Sequence, residues 1–169
     1  MRRGSVWTGL AIAFVGALIL AEVVSGTGTP KAAQRRIAPA LPATTLVAPA
    51  VTVAQLRGKP AIVHFWASWC GPCTVEAPEL AHLAAALHGR ARLVGVDWSD
   101  SHSGGAAFVA KHGWSFPNLE DPAGRTGGPW GITGLPSTFL LDVRGRIVAR
   151  LTGPQTAAGL LGRLRSLSG

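Results

Sequence analysis

The chain has 169 residues, of which 47% are hydrophobic, and a formal net charge of +8. This length and composition suit one folded domain with a proper core plus a short appendage, and they exclude a disordered tail. From residue 37 onward there are 11 basic and 7 acidic side chains, and the basic ones are scattered rather than clustered as in nucleic-acid-binding proteins, so we expect no nucleic-acid partner.

The N-terminal stretch Val6–Val24 is apolar apart from a single charge near its far end, and it follows Arg2 and Arg3. As a helix it would span about 28 Å, close to the hydrocarbon thickness of a bilayer. We therefore predict that residues 1–26 form an uncleaved, single-pass transmembrane signal anchor that leaves the folded part outside the cytoplasm, in the periplasm or on the outer face of the membrane. Cleavage near Gly26, followed by secretion, is the alternative.

Residues 27–40 are rich in Gly, Thr, Pro and Ala, a composition typical of a flexible linker. The domain is then predicted to occupy residues 41–169. Its first two β-branched runs, Thr44–Val47 and Val51–Val53, are separated by Pro49, and they predict an N-terminal β-hairpin.

The remaining elements alternate between strands and helices. An apolar run predicts a buried strand, and leucines at helical spacing predict a helix that begins near residue 70 and ends at Gly89. In chain order we expect a strand at Ala61–Trp66, that helix, a strand at Arg92–Val96, a polar loop at Asp97–Gly105, a helix at Ala106–His112, a hairpin of Ser137–Leu141 with Arg146–Leu151, and a closing helix at Gln155–Leu167. This pattern predicts an α/β sandwich.

The two cysteines of the chain form the motif Cys70-Gly-Pro-Cys73, between the buried strand and the helix. At that junction Cys70 would face the unpaired backbone N–H groups and the positive end of the helix dipole. A thiolate is favoured there, and the thiolate is the species that attacks disulfides. We therefore predict a redox-active pair in which Cys70 is the nucleophile and Cys73 resolves the mixed disulfide.

Other uses of the two cysteines fit the sequence less well. A structural zinc site usually needs four Cys or His ligands, commonly in two paired sets, and the chain has no second Cys pair. Haem attachment needs His directly after the second cysteine, where Thr74 stands. A structural disulfide that closes so short a loop would constrain the unfolded chain little. We therefore expect neither a metal nor another cofactor.

Two segments resemble the hallmark loops of the thioredoxin fold. Val63–Cys73 is similar to the family's active-site stretch, and Gly134–Asp142 is similar to the loop that carries its cis-proline. The resemblance implies a thioredoxin-like three-layer α/β/α sandwich with a mixed central sheet. It also implies that Pro136 is cis and faces Cys70, with the backbone of Leu135 free to pair with an incoming peptide.

Within this fold the chain is most similar to the membrane-anchored, extracytoplasmic group of TlpA-, ResA- and CcmG/DsbE-type proteins. The similarity lies in Trp69-Cys-x-x-Cys-x-x-Glu76, Gly95–Asp100, Asp121–Gly124, Trp130–Pro136 and Gly153–Thr156. It implies a thiol-disulfide oxidoreductase that passes electrons from a membrane reductase of the CcdA/DsbD type to oxidised protein thiols. Apocytochrome c, during cytochrome c maturation, would be one such client. We expect Trp69, Gly71 and Pro72 to form part of the surface on which clients dock.

Three positions bear on how far this resemblance extends. His64 stands where thioredoxin has a buried Asp, and it is either a proton shuttle or a core histidine satisfied by a hydrogen bond. Glu76 matches the group's acidic residue and would tune the thiol pair, unless it is a solvated glutamate in the first turn of the helix. Ser137 follows Pro136 where CcmG-like proteins commonly have Glu, which weakens the assignment to cytochrome maturation.

Two other functions stay open at this point. The pair could run in the opposite direction, as an oxidant that introduces disulfides into secreted proteins. The Gly71-Pro72 dipeptide of thioredoxin favours reduction. The second alternative is a binding module that handles metal or haem through its thiolates, although the single methionine, Met1, argues against copper.

Overall fold

The structure of the protein is a computed structural model, and it describes residues 36–167. Within this range six strands form one sheet, which five helices flank. The strands are β1 (Thr45–Val47), β2 (Ala61–Trp66), β3 (Arg92–Trp98), β4 (Asn118–Asp121), β5 (Ser137–Leu141) and β6 (Ile147–Thr152). The helices are α1 (Val53–Leu56), α2 (Gly71–Leu87), α3 (His102–His112), α4 (Gly127–Trp130) and α5 (Ala157–Arg165).

The sheet is mixed, with strand order β1-β4-β3-β2-β5-β6. Strand β2 lies inside it, parallel to β3 and antiparallel to β5. All six residues of β2 are buried, as expected of a strand that helices cover on both faces. The strand therefore has a fixed place in the core, and its carboxyl end, which leads into Cys70, is fixed with it.

The two faces of the sheet belong to two separate hydrophobic clusters. Ile62 and Trp66 of β2 lie in the cluster that also contains side chains of α2, α3 and α5. Val63 and Phe65 lie in the opposite cluster, with Leu56 of α1 and residues of α4. This alternation follows from the two-residue period of a strand. The expected three-layer α/β/α sandwich of the thioredoxin type is confirmed.

The predicted N-terminal hairpin is wrong. β1 pairs in antiparallel fashion with β4, more than 70 positions along the chain. The second β-branched run does not form a strand, because Thr52 caps α1 instead. Its hydroxyl accepts the N–H of Gln55, and the Gln55 side chain accepts the N–H of Thr52 in return. This reciprocal capping box favours a helix start over an extended strand.

Two boundaries in the middle of the chain differ from the sequence prediction. β3 continues through Asp97 to Trp98, so the expected polar loop is shorter than predicted. α3 begins at His102 because the Ser101 hydroxyl accepts the N–H of Gly104 and caps the helix. β4 and α4 were not predicted. The strands at Ala61–Trp66 and Ser137–Leu141 are confirmed.

The predicted anchor at residues 1–26 and the linker up to residue 35 lie outside the described residues. The end of the predicted linker, residues 36–40, is bonded to the domain. Ala38 donates its N–H to Gly145, Ile147 donates its N–H to Arg36, and the indole N–H of Trp130 bonds to Ala40. No helix within residues 36–167 has the length and apolar character that a membrane crossing requires.

Candidate active site

The cysteine pair lies at the junction of β2 and α2. β2 ends at Trp66, and Cys70 is the N-cap residue of α2, with extended backbone dihedral angles. Its sulfur accepts the N–H of Cys73 at 3.2 Å, so it occupies the position that a Ser or Asp oxygen usually takes at an N-cap. Pro72 follows in the first turn, where its missing N–H leaves no donor unsatisfied. The junction thus supplies a backbone donor to the sulfur of Cys70.

Cys70 and Cys73 form a disulfide, with their Cα atoms 5.2 Å apart. Both residues are buried: Cys73, in the first turn of α2, is 1% exposed to solvent, and Cys70 is 5% exposed. Gly71 and Pro72, between them, are exposed. Cys70 is therefore the more accessible of the two residues to a molecule that approaches from solvent.

Two large apolar residues close to the pair in sequence are exposed. Trp69 is 60% exposed and Val75 is 74% exposed, although both are large and hydrophobic. Trp69 directly precedes Cys70 in the sequence. Its indole N–H donates to the carbonyl of Ser99 at 3.0 Å, which fixes the orientation of the ring. Trp66, by contrast, is a core residue that stacks on Phe108. Trp69 is therefore the tryptophan of this stretch that is available to a client.

The second hallmark loop leads into β5. The Leu135–Pro136 peptide bond is cis, as the resemblance implies. Leu135 is half-buried and packs against the hydrophobic cluster that includes Cys70 and Cys73. Pro136 is buried, and its carbonyl accepts the N–H of Gly153. Ser137 is also buried, with its hydroxyl bonded to the carbonyl of Gly134 at 2.7 Å, so it presents no charge to the site.

Glu76 is a buried residue of α2, 1% exposed, so it is not the solvated glutamate considered as its alternative. It lies three residues after Cys73, hence on the same side of the helix. Its Oε1 accepts the N–H of Gln155 at 3.1 Å, whereas Oε2 has no hydrogen-bond partner among the described residues. Burial raises the pKa of Glu76 to about 7, against the smaller opposing effect of the Gln155 bond. A carboxyl with this pKa can take up or release a proton near neutral pH.

His64 lies opposite Glu76 in the core. Its Nδ1 is 3.0 Å from the hydroxyl of Thr138, and its Nε2 is 3.8 Å from Oε2 of Glu76. Complete burial lowers the pKa of His64 to about 3, so the imidazole is neutral at neutral pH and a poor proton acceptor. Both interpretations of His64 thus keep a physical basis: Thr138 satisfies one nitrogen, and the other faces Glu76. The pKa values favour Glu76 as the group that exchanges protons.

Two carboxyls near the motif were missed in the sequence. The sequence predicts Asp97 in a polar loop, but it is a buried residue of β3. Asp100 follows in the β3–α3 loop, and it accepts the N–H of Ser68, two residues before Cys70. One signal was available: β3 is parallel to β2, so its carboxyl end lies at the same edge of the sheet as the cysteine motif. The polar character of the following residues concealed how far the strand extends.

The opposite pKa shifts of Glu76 and His64 give a testable pH dependence of stability. A raised pKa in the folded state means that the contribution of Glu76 is complete below about pH 4.5 and is lost as the pH rises through 7. The contribution of His64 is complete above about pH 6.5 and is lost as the pH falls through 3. We expect the free energy of unfolding of wild type, relative to Glu76→Gln, to increase as the pH falls from 7 to 4.5, by up to about 3 kcal/mol.

Urea unfolding at each pH measures this difference, and His64→Gln is the matched control. Relative to His64→Gln, wild type should lose stability as the pH falls from 6.5 toward 3. If the difference between wild type and either variant does not change with pH, the corresponding assignment is wrong.

The chain is similar to known thiol-disulfide exchange proteins. It is 42% identical over 107 residues to the thiol:disulfide interchange protein HelX of Rhodobacter capsulatus. This alignment covers 62% of this chain and 59% of HelX. It is 38% identical over 128 residues to the thiol:disulfide interchange protein DsbE homologue of Paracoccus denitrificans, which covers 74% of this chain and 69% of that protein. The chain thus spans 59% and 69% of the length of these two relatives.

A solved structure and a family model agree with these similarities. The fold matches a secreted Mycobacterium tuberculosis disulfide oxidoreductase homologous to E. coli DsbE, with a TM-score of 0.68 and 30% sequence identity over 80% of this chain and 100% of that one. The model of the AhpC/TSA family matches residues 35–150, which include both cysteines, Glu76 and the cis-proline. The chain therefore belongs to the AhpC/TSA family of thioredoxin-fold proteins.

Proposed function

We propose that this protein is a thiol-disulfide oxidoreductase that reduces disulfides in client proteins. The observation that carries the proposal is the placement of Cys70 at the N-cap of α2, where its sulfur accepts a backbone N–H and the residue is the more exposed of the two cysteines. Hydrogen bonds to the charged form of a group favour that form. The junction therefore stabilises the nucleophilic thiolate on the sulfur that a client can reach.

The reaction proceeds in two exchanges. The Cys70 thiolate attacks one sulfur of a client disulfide, which forms a mixed disulfide and releases the other client sulfur as a thiolate. Cys73 then loses its proton and attacks the sulfur of Cys70, which expels the second client thiolate and leaves the Cys70–Cys73 disulfide. Two electrons pass to the client. Glu76, one turn along α2 with a pKa near neutrality, accepts the proton of Cys73.

The charges around the motif support reduction rather than oxidation. Glu76 lies on the Cys73 side, Asp100 bonds to Ser68, and His64 is uncharged at neutral pH. Negative charge disfavours a thiolate, so it destabilises the reduced form of the pair and makes it a better electron donor. The Gly71-Pro72 dipeptide of thioredoxin is consistent with this direction.

Apocytochrome c is the client that we propose. The resemblance to the CcmG/DsbE group and the similarity to the DsbE homologue of Paracoccus denitrificans support it. A membrane reductase of the CcdA/DsbD type would return the pair to the dithiol. The proposed location is the outer side of the cytoplasmic membrane, with Val6–Val24 as the anchor, and the apolar length of that stretch is what supports it.

Trapping experiments test the exchange and the client together. With a disulfide-bonded peptide that contains the Cys-x-x-Cys-His haem-attachment sequence, reduced Cys73→Ser should accumulate a mixed disulfide at Cys70, because the resolving thiol is gone. Cys70→Ser should accumulate none. Mass spectrometry of the protein without reductant measures both. Trapping on Cys70→Ser instead would reverse the assignment of the two thiols.

A second disulfide peptide of equal length, without the haem-attachment sequence, separates the client from the chemistry. If this peptide is trapped as fast as the first, the proposed thiol-disulfide exchange is supported, but apocytochrome c is no longer supported as the preferred client.

Membrane fractionation tests the anchor. The full chain should remain in the membrane fraction after an alkaline wash, and deletion of residues 1–26 behind a cleavable leader should release it as a soluble extracytoplasmic protein. A full-length gene product recovered in soluble form and starting near Thr27 would contradict the anchor.

A further inference from the structure

The loop between β3 and α3 holds the turn that precedes Cys70. The carboxylate of Asp100 accepts the N–H of Ser68 at 2.5 Å through Oδ2, and the N–H of Ser101 at 2.7 Å through Oδ1. One residue earlier, the carbonyl of Ser99 accepts the indole N–H of Trp69 at 3.0 Å. Two consecutive residues of this loop thus bond to the two residues that lead into Cys70. Short bonds of this kind to an ionised acceptor are among the stronger hydrogen bonds.

Asp97 lies behind this contact, buried in β3. It is 1% exposed, and its Oδ1 has no hydrogen-bond partner among the described residues. The two carboxyls lie together at the start of α3, where an oxygen of Asp100 faces Gly104 and an oxygen of Asp97 faces the adjacent Gly105. A side-chain hydrogen bond between them raises the pKa of Asp97 and lowers that of Asp100. Two carboxyls can bond to each other only when one of them carries a proton. The arrangement therefore holds one proton between Asp97 and Asp100.

The environment places that proton on Asp97. Burial, with further contributions from the neighbouring charges of Asp100 and Glu120, raises the pKa of Asp97 to about 8. Burial acts in the same sense on Asp100, but the hydrogen bonds from Ser68, Ser101 and Asp97 outweigh it and keep the pKa of Asp100 below its usual value. At neutral pH Asp97 is a neutral donor and Asp100 an ionised acceptor.

The elements packed around Asp97 add one further charge. Glu120 is its register partner in β4, and it is bonded to His102 of α3 at 2.8 Å. The register partner in β2 is Trp66, and α3 approaches the Asp97 carboxyl with Gly105. Loss of the proton would thus place two carboxylates in contact, with Glu120 as a third negative group nearby.

We propose that Asp97 is a positioning residue for the exchange reaction: its carboxyl donates a proton to Asp100, which keeps Asp100 ionised against Ser68 and fixes the turn that presents Cys70. When the proton leaves to solvent in the alkaline range, Asp97 and Asp100 repel each other and the bond to Ser68 weakens. This inference rests on the proposed exchange at Cys70, and it holds for any client.

The amide of Ser68 reports directly on its hydrogen bond to Asp100, and therefore on whether Asp97 carries its proton. In ¹H–¹⁵N spectra of the oxidised protein, the Ser68 amide proton should lie far downfield at pH 6 and move upfield in one step as the pH rises toward 9.5. In Asp97→Asn it should stay downfield without the step, because a carboxamide donates to Asp100 but does not ionise. In Asp100→Asn the downfield shift should be lost. Asp142→Asn, which removes a carboxyl in the β5–β6 turn, should titrate like wild type.

A step that persists in Asp97→Asn, or a wild-type Ser68 amide that does not move up to pH 9.5, would overturn the proposal. The side-chain carboxyl ¹³C signals of wild type give the same answer without a substitution. Asp97 should titrate in the alkaline range and Asp100 should stay ionised, whereas two independent titrations in the acidic range would refute the shared proton.

The rate at which dithiothreitol attacks the Cys70–Cys73 disulfide tests whether protonation of Asp97 affects exchange at Cys70. Per thiolate, the rate should change at the same pH as the Ser68 amide in wild type and show no such change in Asp97→Asn. A rate that does not follow the Ser68 step means that Asp97 does not position Cys70. Absence of any exchange in wild type would instead contradict the proposed function, while the Ser68 titration would still be tested independently.

Discussion

The backbone N–H that Cys73 donates to the sulfur of Cys70 is the interaction on which the site depends. It exists because β2 is buried on both faces and is followed, after a short turn, by α2. The first turn of the helix therefore donates its N–H to the sulfur of Cys70. A helix N-terminus stabilises negative charge within its first turn. The same junction leaves Cys70 slightly more exposed than Cys73, which distinguishes the attacking thiol from the resolving one.

Three carboxyls set the electrostatic character of the site: Glu76 in α2, Asp97 in β3 and Asp100 in the loop after β3. Glu76 and Asp97 are buried and would be costly to hold as ions, so burial raises the pKa of both. Asp100 is only partly buried and stays ionised. The helix end favours a thiolate while the carboxyls oppose it, and the balance between these two effects determines how readily the pair gives up electrons.

The sequence allowed much of this arrangement to be predicted, because its strongest signals are local. The apolar run of β2, the cysteine spacing and the resemblance around Pro136 predicted the strand, the helix start and the cis bond. The failures depend on contacts distant in sequence. β1 pairs with β4 rather than with its neighbour, and Asp97 is packed against Gly105 of α3 and paired in register with Glu120 of β4, both of which follow it in the chain. Periodicity alone does not reveal which polar residues tertiary packing encloses.

The equilibrium between this protein and glutathione tests the central claim, that the site is built to donate electrons. The full chain would be incubated in mixtures of reduced and oxidised glutathione, quenched by alkylation, and scored for the Cys70–Cys73 dithiol by mass. We predict a reduction potential nearer to that of thioredoxin, roughly −270 mV, than to that of the oxidant DsbA, roughly −120 mV, and a less negative value for Glu76→Gln. A wild-type potential close to that of DsbA would contradict the account and make the protein an oxidant.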